Sequence, residues 1–233
     1  MKPYRIPFLK TLILVSALSS SLVFAEAAVS PVDSTAPVVV ACTWADPVTE
    51  TKIMVAKLLE VLNKDQSAIN NNFAQVEKDI STILSPSIDI GKIAAFVAPG
   101  PLMRSATPEE NKEFEKVLLA FFINSYSTAF KSFNDKVRVT VNPLRPGMDQ
   151  KDTVQINTVV VVDESGNPNS MIPVALVLSR DKEACQWKYV DFVVDNISAV
   201  SNVQSQIFAM KVKTLVELTA AIQKHNDAVL KGM

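Results

Sequence analysis

The spacing of apolar residues changes near Lys136 from the repeat of an α-helix to the alternation of a β-strand. Before this point, apolar residues recur every three or four positions in residues 51–62 and 71–84, and this spacing predicts amphipathic helices. After it, "VRVTV" (137–141) alternates strictly, which predicts a half-buried strand. Helices followed by consecutive strands predict an α+β domain with an antiparallel sheet.

Three further segments read as strands, "TVQINTVVVVD", "MIPVALVLSR" and "CQWKYVDFVVDN", so the sheet has about four strands. In the last of them, alternation places Phe192 and Val194 on one face and Tyr189 and Asp191 on the other. The strand ends in a polar corner, where Ser198 is placed to cap the helix that follows.

The helical half contains one strong start signal. Thr107 is followed by Pro108 and by Glu110, which predicts a capping box with proline in the first turn. The middle of the helix that follows is apolar almost all round, so we expect other elements to cover more than one of its sides. A shorter helix is predicted over 90–97.

The first 25 residues have the pattern of a secretory signal peptide: a basic start, a short apolar stretch and small residues before a cleavage site. Residues 26–47 are rich in Ala, Val, Ser, Thr and Pro, which favours a flexible N-terminal arm. Residues 48–233 then form a single domain of ordinary size.

Charge and motifs exclude several functions. The chain has 23 basic and 24 acidic side chains, and cleavage after residue 25 leaves 20 basic side chains and a formal charge of −4, which disfavours nucleic acid. His225 is the sole histidine, and neither a nucleophile elbow nor a phosphate-binding glycine loop is present. We therefore expect no catalytic residues, no metal site and no cofactor. Cys42 and Cys185 either form a disulfide, as an oxidising compartment would permit, or remain two unpaired thiols.

The segment "WKYVDFVVDNISAVSNVQSQI" resembles the signature of the MlaC / toluene-tolerance family of phospholipid-binding proteins of the Mla pathway. "IDIGKIAAFV", "ATPEENKEF" and Tyr126 follow in the family's order, so the resemblance spans about 58–208. The chain departs from the family where "APGPLMR" leaves Arg104 as the one nearby cation, and where Val203-Gln204 replaces Tyr-Arg. The matching positions of the signature are Trp187, Asp191, Ile197, Ser198, Asn202, Ser205 and Gln206.

The resemblance implies a curved antiparallel sheet of NTF2-like shape, covered by helices and enclosing an apolar lipid cavity. It also implies a periplasmic carrier that holds phospholipid as cargo and maintains the lipid asymmetry of the outer membrane. Its partners would be an outer-membrane lipoprotein complex and the inner-membrane Mla ABC transporter complex, each docked transiently.

Energetics set the size of such a cavity. Leaving about 30 chain carbons in water would cost about 25 kcal/mol, so both tails should be enclosed, in a pocket near the upper end of about 300–1,000 Å³. A protein-binding or peptide-binding, chaperone-like module is the alternative, and periodicity taken alone favours an ordinary core position for each single residue. The candidate lipid-binding residues are Phe96, Val97, Leu118, Phe121, Phe122, Tyr126, Val139, Val141, Val174, Leu176, Phe192 and Val194.

Overall fold

The computed structural model describes residues 42–64, 71–126, 137–164 and 167–231. The predicted signal peptide, and the predicted arm up to residue 41, lie outside the described residues. The α+β architecture is confirmed: the described residues form seven α-helices, some before and some after one antiparallel sheet in the chain. The helices are α1 (Pro47–Lys64), α2 (Phe73–Leu84), α3 (Ile90–Val97), α4 (Gly100–Ser105), α5 (Pro108–Ser125), α6 (Ala199–Ala209) and α7 (Leu215–Lys231).

The sheet has five strands in the order β1-β2-β3-β4-β5, one more than the sequence predicts. The additional strand is a two-residue piece that pairs with the end of β4, too short to leave an alternating pattern. The strands are β1 (Val137–Val141), β2 (Thr153–Glu164), β3 (Asn167–Asp181), β4 (Gln186–Val194) and β5 (Ile197–Ser198), with a 3₁₀ turn at Met148–Gln150.

One prediction about β4 is wrong, because the strand contains a bulge. Leu178 pairs with Tyr189 but Val177 pairs with Asp191, so Val190 is an extra residue on β4. An extra residue reverses the alternation beyond it. Tyr189 therefore lies on the same face of the sheet as Phe192, which we call the inner face.

Both predicted helix caps are confirmed. The Thr107 hydroxyl accepts a hydrogen bond from the amide of Glu110, whose carboxylate accepts one from the Thr107 amide, so the capping box is complete. The Ser198 hydroxyl accepts from the Ser201 amide at 3.0 Å and starts α6 at the corner after β4. Local sequence thus fixes where α5 and α6 begin.

A disulfide joins the first described residues of the chain to the sheet. Cys42 and Cys185, which are 143 positions apart in sequence, form a disulfide with sulfur atoms 2.11 Å apart. The indole of Trp187 donates a 3.0 Å hydrogen bond to the carbonyl of Ala45. This start of the domain is consequently held against the β3–β4 turn immediately before α1 begins.

The outer edge of β4 is also paired. The segment before α3 forms an isolated parallel bridge, in which Tyr189 donates to the Ser87 carbonyl and accepts from the Asp89 amide. β5 pairs with the last two residues of β4. The two short pieces therefore pair with this edge at Tyr189 and at its last two residues.

Candidate functional site

An apolar cavity of about 330 Å³ lies between the inner face of the sheet and helices α1, α2, α3, α5 and α6. Alternate residues of β3 and β4 form its floor, and helical residues three or four positions apart form its walls. The lining residues are Met54, Leu58, Leu84, Ile88, Ile90, Ile93, Leu119, Phe122, Ile123, Tyr126, Val160, Ile172, Val174, Leu176, Tyr189, Asp191, Phe192, Val194 and Val200.

Half of the twelve predicted lining residues are brought together in this cavity: Phe122, Tyr126, Val174, Leu176, Phe192 and Val194. The pairing register explains the sheet residues, because Val174 pairs with Val194 and Leu176 with Phe192, and partners in an antiparallel pair point to the same face. The period of two in this part of the sheet therefore selected the correct face.

The other six residues are not among those that line the cavity. Phe96 is 52% exposed, and Val139 and Val141 belong to β1, one strand beyond Val160 of β2, which does line it. Val97, Leu118 and Phe121 are buried in a solid cluster between α3, α5, α6 and α7. The physical reason is that α5 packs on two layers: one side faces the cavity and the other faces α7.

Sequence reasoning missed the contribution of α1 and of the segment from α2 to α3. Met54 and Leu58 stand four positions apart on one side of α1, and Leu84 and Ile88 lie at the end of α2 and just after it. The helical spacing of these residues was visible, but spacing does not show which helix covers the sheet. Ile172 could also have been predicted from the sequence, because it continues the alternation of Val174.

Polar groups in the wall are few and each is constrained. Asp191 accepts hydrogen bonds from the Ser198 hydroxyl at 2.6 Å and from the Val200 amide at 3.1 Å, so its carboxylate helps to hold the start of α6. Burial raises the pKa of Tyr126, and the charge of Asp191 raises it further. Burial also raises the pKa of Tyr189 to about 12. Both phenols are therefore uncharged near neutral pH.

Aromatic contacts join the two layers beside the cavity. The ring of Phe192 lies 4.8 Å from that of Tyr126 and 6.3 Å from that of Phe122, both in edge-to-face arrangements. Such pairs contribute beyond their buried area, by about 0.5–1.5 kcal/mol. β4 and α5 are thus fixed relative to each other at the middle of the cavity wall.

The cavity has a closed end and an open end. Met54 and Tyr189 at one end are 9% and 8% exposed. Val160, Ile172 and Val194 at the other end are only partly buried. The lining residues at the Ile172 and Val194 end are thus less buried than Met54 and Tyr189.

The volume corrects the prediction of a pocket near the upper end of the usual range. At about 330 Å³ the cavity is near the lower end of the range for ligand sites. Large side chains such as Phe122, Tyr126 and Phe192 occupy space that a wider cavity would leave open. Enclosing two complete tails consequently requires these side chains to move or the chains to extend through the open end.

The described part of the chain offers little support for a metal site, a histidine-based site or a membrane-spanning helix. It contains no group of three or more His, Cys, Asp or Glu side chains arranged to hold a metal ion. His225 contacts the ring of Phe121 at a centroid distance of 5.0 Å, away from the cavity lining. Among the described helices, none combines the length and apolar character needed to cross a membrane.

Comparison with known proteins gives a matching family profile and similar solved structures. The sequence profile described as MlaC protein matches residues 52–224. The fold is similar to that of a phospholipid-binding protein from Ralstonia solanacearum, solved in complex with a phospholipid, with a TM-score of 0.67 and 16% identity, covering 79% of this chain and 99% of that one. Among curated proteins, no sequence matches this chain significantly.

Proposed function

This chain belongs to the MlaC protein family, and on that premise we propose that it is a periplasmic phospholipid carrier. Its cargo would be held by the acyl chains in the apolar cavity, with the polar head in water at the open end. It would move phospholipid between the outer-membrane lipoprotein complex and the inner-membrane Mla ABC transporter complex, and so maintain the lipid asymmetry of the outer membrane.

The observation that carries the proposal is an apolar cavity whose lining, among the described residues, includes one carboxylate, that of Asp191, which already accepts two hydrogen bonds. Such a wall suits methylene groups and offers little to a peptide backbone, which needs partners for its amides and carbonyls. The phospholipid in the related Ralstonia solanacearum structure supports the same assignment. The peptide-binding alternative is therefore the weaker proposal.

Carrying lipid by this means needs no catalysis. Each buried methylene contributes about 0.8 kcal/mol, so the aqueous protein competes with a membrane for the chains only if most of their length is enclosed. Handover then requires a partner that offers an equally apolar path. We propose that docking at the two membrane complexes is transient, and that the transporter complex supplies any energy needed.

Extraction of the purified protein with organic solvent, followed by mass spectrometry, tests whether lipid is the cargo. We expect phospholipid in near-stoichiometric yield. Val174→Trp, which fills the cavity from its floor, should reduce this yield, whereas Ile53→Trp, at a residue of α1 that is 46% exposed, should not. Peptides in the extract without phospholipid would instead favour the chaperone-like module.

Transport is tested separately with labelled phospholipid. The loaded protein is incubated with vesicles that contain the inner-membrane complex, and with others that contain the outer-membrane complex. We expect label to move in a manner that depends on the complexes, and to move less with Val174→Trp. Equal transfer to vesicles without either complex would contradict the proposed handover.

A further inference from the structure

The inner face of the sheet supports two separate recesses. One is the cavity, and the other is a groove of about 690 Å³ at the disulfide end of the sheet. No lining residue is shared between the two. The groove is lined mainly by residues 44–48 and 143–146, by Lys52, by Asp149 and Gln150, and by Arg180 and Trp187.

Two elements pass along both recesses in the same order. On α1, Val48 and Lys52 line the groove, Met54 lines the cavity, and the Thr51 side chain is buried between Val48 and Met54. On β4, Trp187 lines the groove and Tyr189 lines the cavity wall two residues later. The boundary between the recesses therefore passes through Thr51 and Tyr189.

These two side chains are hydrogen-bonded to each other across the boundary. The hydroxyl groups of Tyr189 and Thr51 lie 3.1 Å apart, with Tyr189 as donor, and the Thr51 hydroxyl donates to the Pro47 carbonyl at 2.8 Å. Thr51 is fully buried and Tyr189 is 8% exposed. The phenol ring is thus held in one position by α1, with no charge near neutral pH.

The layer around this pair is thin. Leu178 pairs with Tyr189, and Val154 pairs with Leu178, so these three side chains form one row across the inner face. Val48 belongs to the same buried cluster. One row of side chains therefore separates the closed end of the cavity from the groove.

We propose that the Tyr189–Thr51 pair is the stop that determines which acyl-chain lengths the carrier accepts. This inference rests on the proposed function, because it assigns the closed end of the same cavity. A chain that reaches Tyr189 fills the available depth, and each further methylene must remain in water, which lowers the affinity of the protein for that chain, relative to a membrane, about fourfold. Removing the stop would connect the cavity to the groove and admit longer chains.

Competition among phosphatidylethanolamines of graded chain length tests the stop. The native protein and Tyr189→Ala are loaded from the same equimolar mixture, and the bound species are quantified by mass spectrometry. We expect Tyr189→Ala to prefer chains longer by two or more methylenes. Tyr189→Phe keeps the ring and loses the hydroxyl, so it should retain the native preference or shift less. Identical length distributions for the native protein and Tyr189→Ala would overturn the proposal.

Tryptophan fluorescence reports on the groove, because Trp44 and Trp187 are the two tryptophans of the chain and both line it. Phospholipid brominated at the chain end quenches tryptophan fluorescence at contact range. We expect little quenching in the native protein and strong quenching in Tyr189→Ala loaded with long brominated chains. Equal quenching in both proteins would show that Tyr189 does not separate the two spaces.

Two controls keep the outcome decisive. If Tyr189→Ala does not fold, Tyr189→Leu opens the same boundary with a smaller loss of packing and is judged by the same two readouts. Met54→Phe places more volume at the closed end and should shift the preference toward shorter chains. If the proposal about Tyr189 is wrong, every variant will bind phospholipid with the same preference for chain length. If the proposed function is wrong, the native protein will bind no phospholipid.

Discussion

The rings of Tyr126 and Phe192 lie edge to face with centroids 4.8 Å apart, where the last turn of α5 meets β4 beside the cavity. Because Phe192 also contacts Phe122, its ring joins the helical layer to the sheet. We expect Phe192→Ala to lower the free energy of unfolding of lipid-free protein by about 3 kcal/mol. Urea unfolding measures this, with the exposed Phe208→Ala as control, for which we expect a change below about 0.5 kcal/mol. Equal losses in the two variants would contradict the role of Phe192.

Removing bound lipid should destabilise the protein. An empty cavity of about 330 Å³ forfeits about 8 kcal/mol at ~24 cal/mol per Å³, which is comparable with the whole stability of a typical domain. A ligand at about 100 times its Kd restores about 2.7 kcal/mol. We therefore expect the Tm to fall by about 5–10 °C on delipidation and to recover on reloading. Equal Tm values for the lipid-bound and lipid-free forms in scanning calorimetry would show that filling the cavity does not stabilise the protein.

Breaking the disulfide should also lower stability, because the bond links positions 143 residues apart. A crosslink that closes so long a loop restricts the unfolded chain, and its removal costs about 5 kcal/mol in the chain-entropy description. We expect this loss in the Cys42→Ser/Cys185→Ser double variant and in native protein treated with reductant. Reductant should leave the double variant unchanged, and any further loss there would point to an effect other than this bond.

Stability should fall at high pH because of Tyr189, whose pKa is raised from 10.0 to about 12. The folded protein keeps the phenol protonated where the unfolded chain has lost the proton, so this stabilisation is complete below about pH 10 and is lost as the pH rises toward 12. We expect a decrease of about 2–3 kcal/mol across this window. The difference between native protein and Tyr189→Phe isolates it from other groups, and parallel pH curves for the two would exclude it.

Elements with strong local signals could be predicted from sequence. The capping box at Thr107 and the Ser198 cap depend on residues three positions apart, and both are present in the structure. The alternation of Val174 and Leu176 likewise identified the floor of the cavity. In each case the deciding contacts are close in sequence or repeat with the period of the strand.

Features that depend on packing between distant segments could not be predicted in this way. The bulge at Val190 reverses one face of β4 without any glycine to mark it. Phe121 has the same apolar character as Phe122, yet only Phe122 lines the cavity, because α7 packs against the other side of α5. The contribution of Met54 depends on α1 crossing the sheet, which no local pattern records.

The paired edge of β4 has a consequence for the empty carrier. Unpaired strand edges are templates for the addition of strands from other molecules, and that risk increases when apolar surface is uncovered. Here the backbone of Tyr189 is occupied by the Ser87–Asp89 segment, and β5 occupies the last two residues of β4. If the chain carries lipid as proposed, strand addition to an empty molecule is therefore blocked at Tyr189 and at the end of β4, even while the cavity is unfilled.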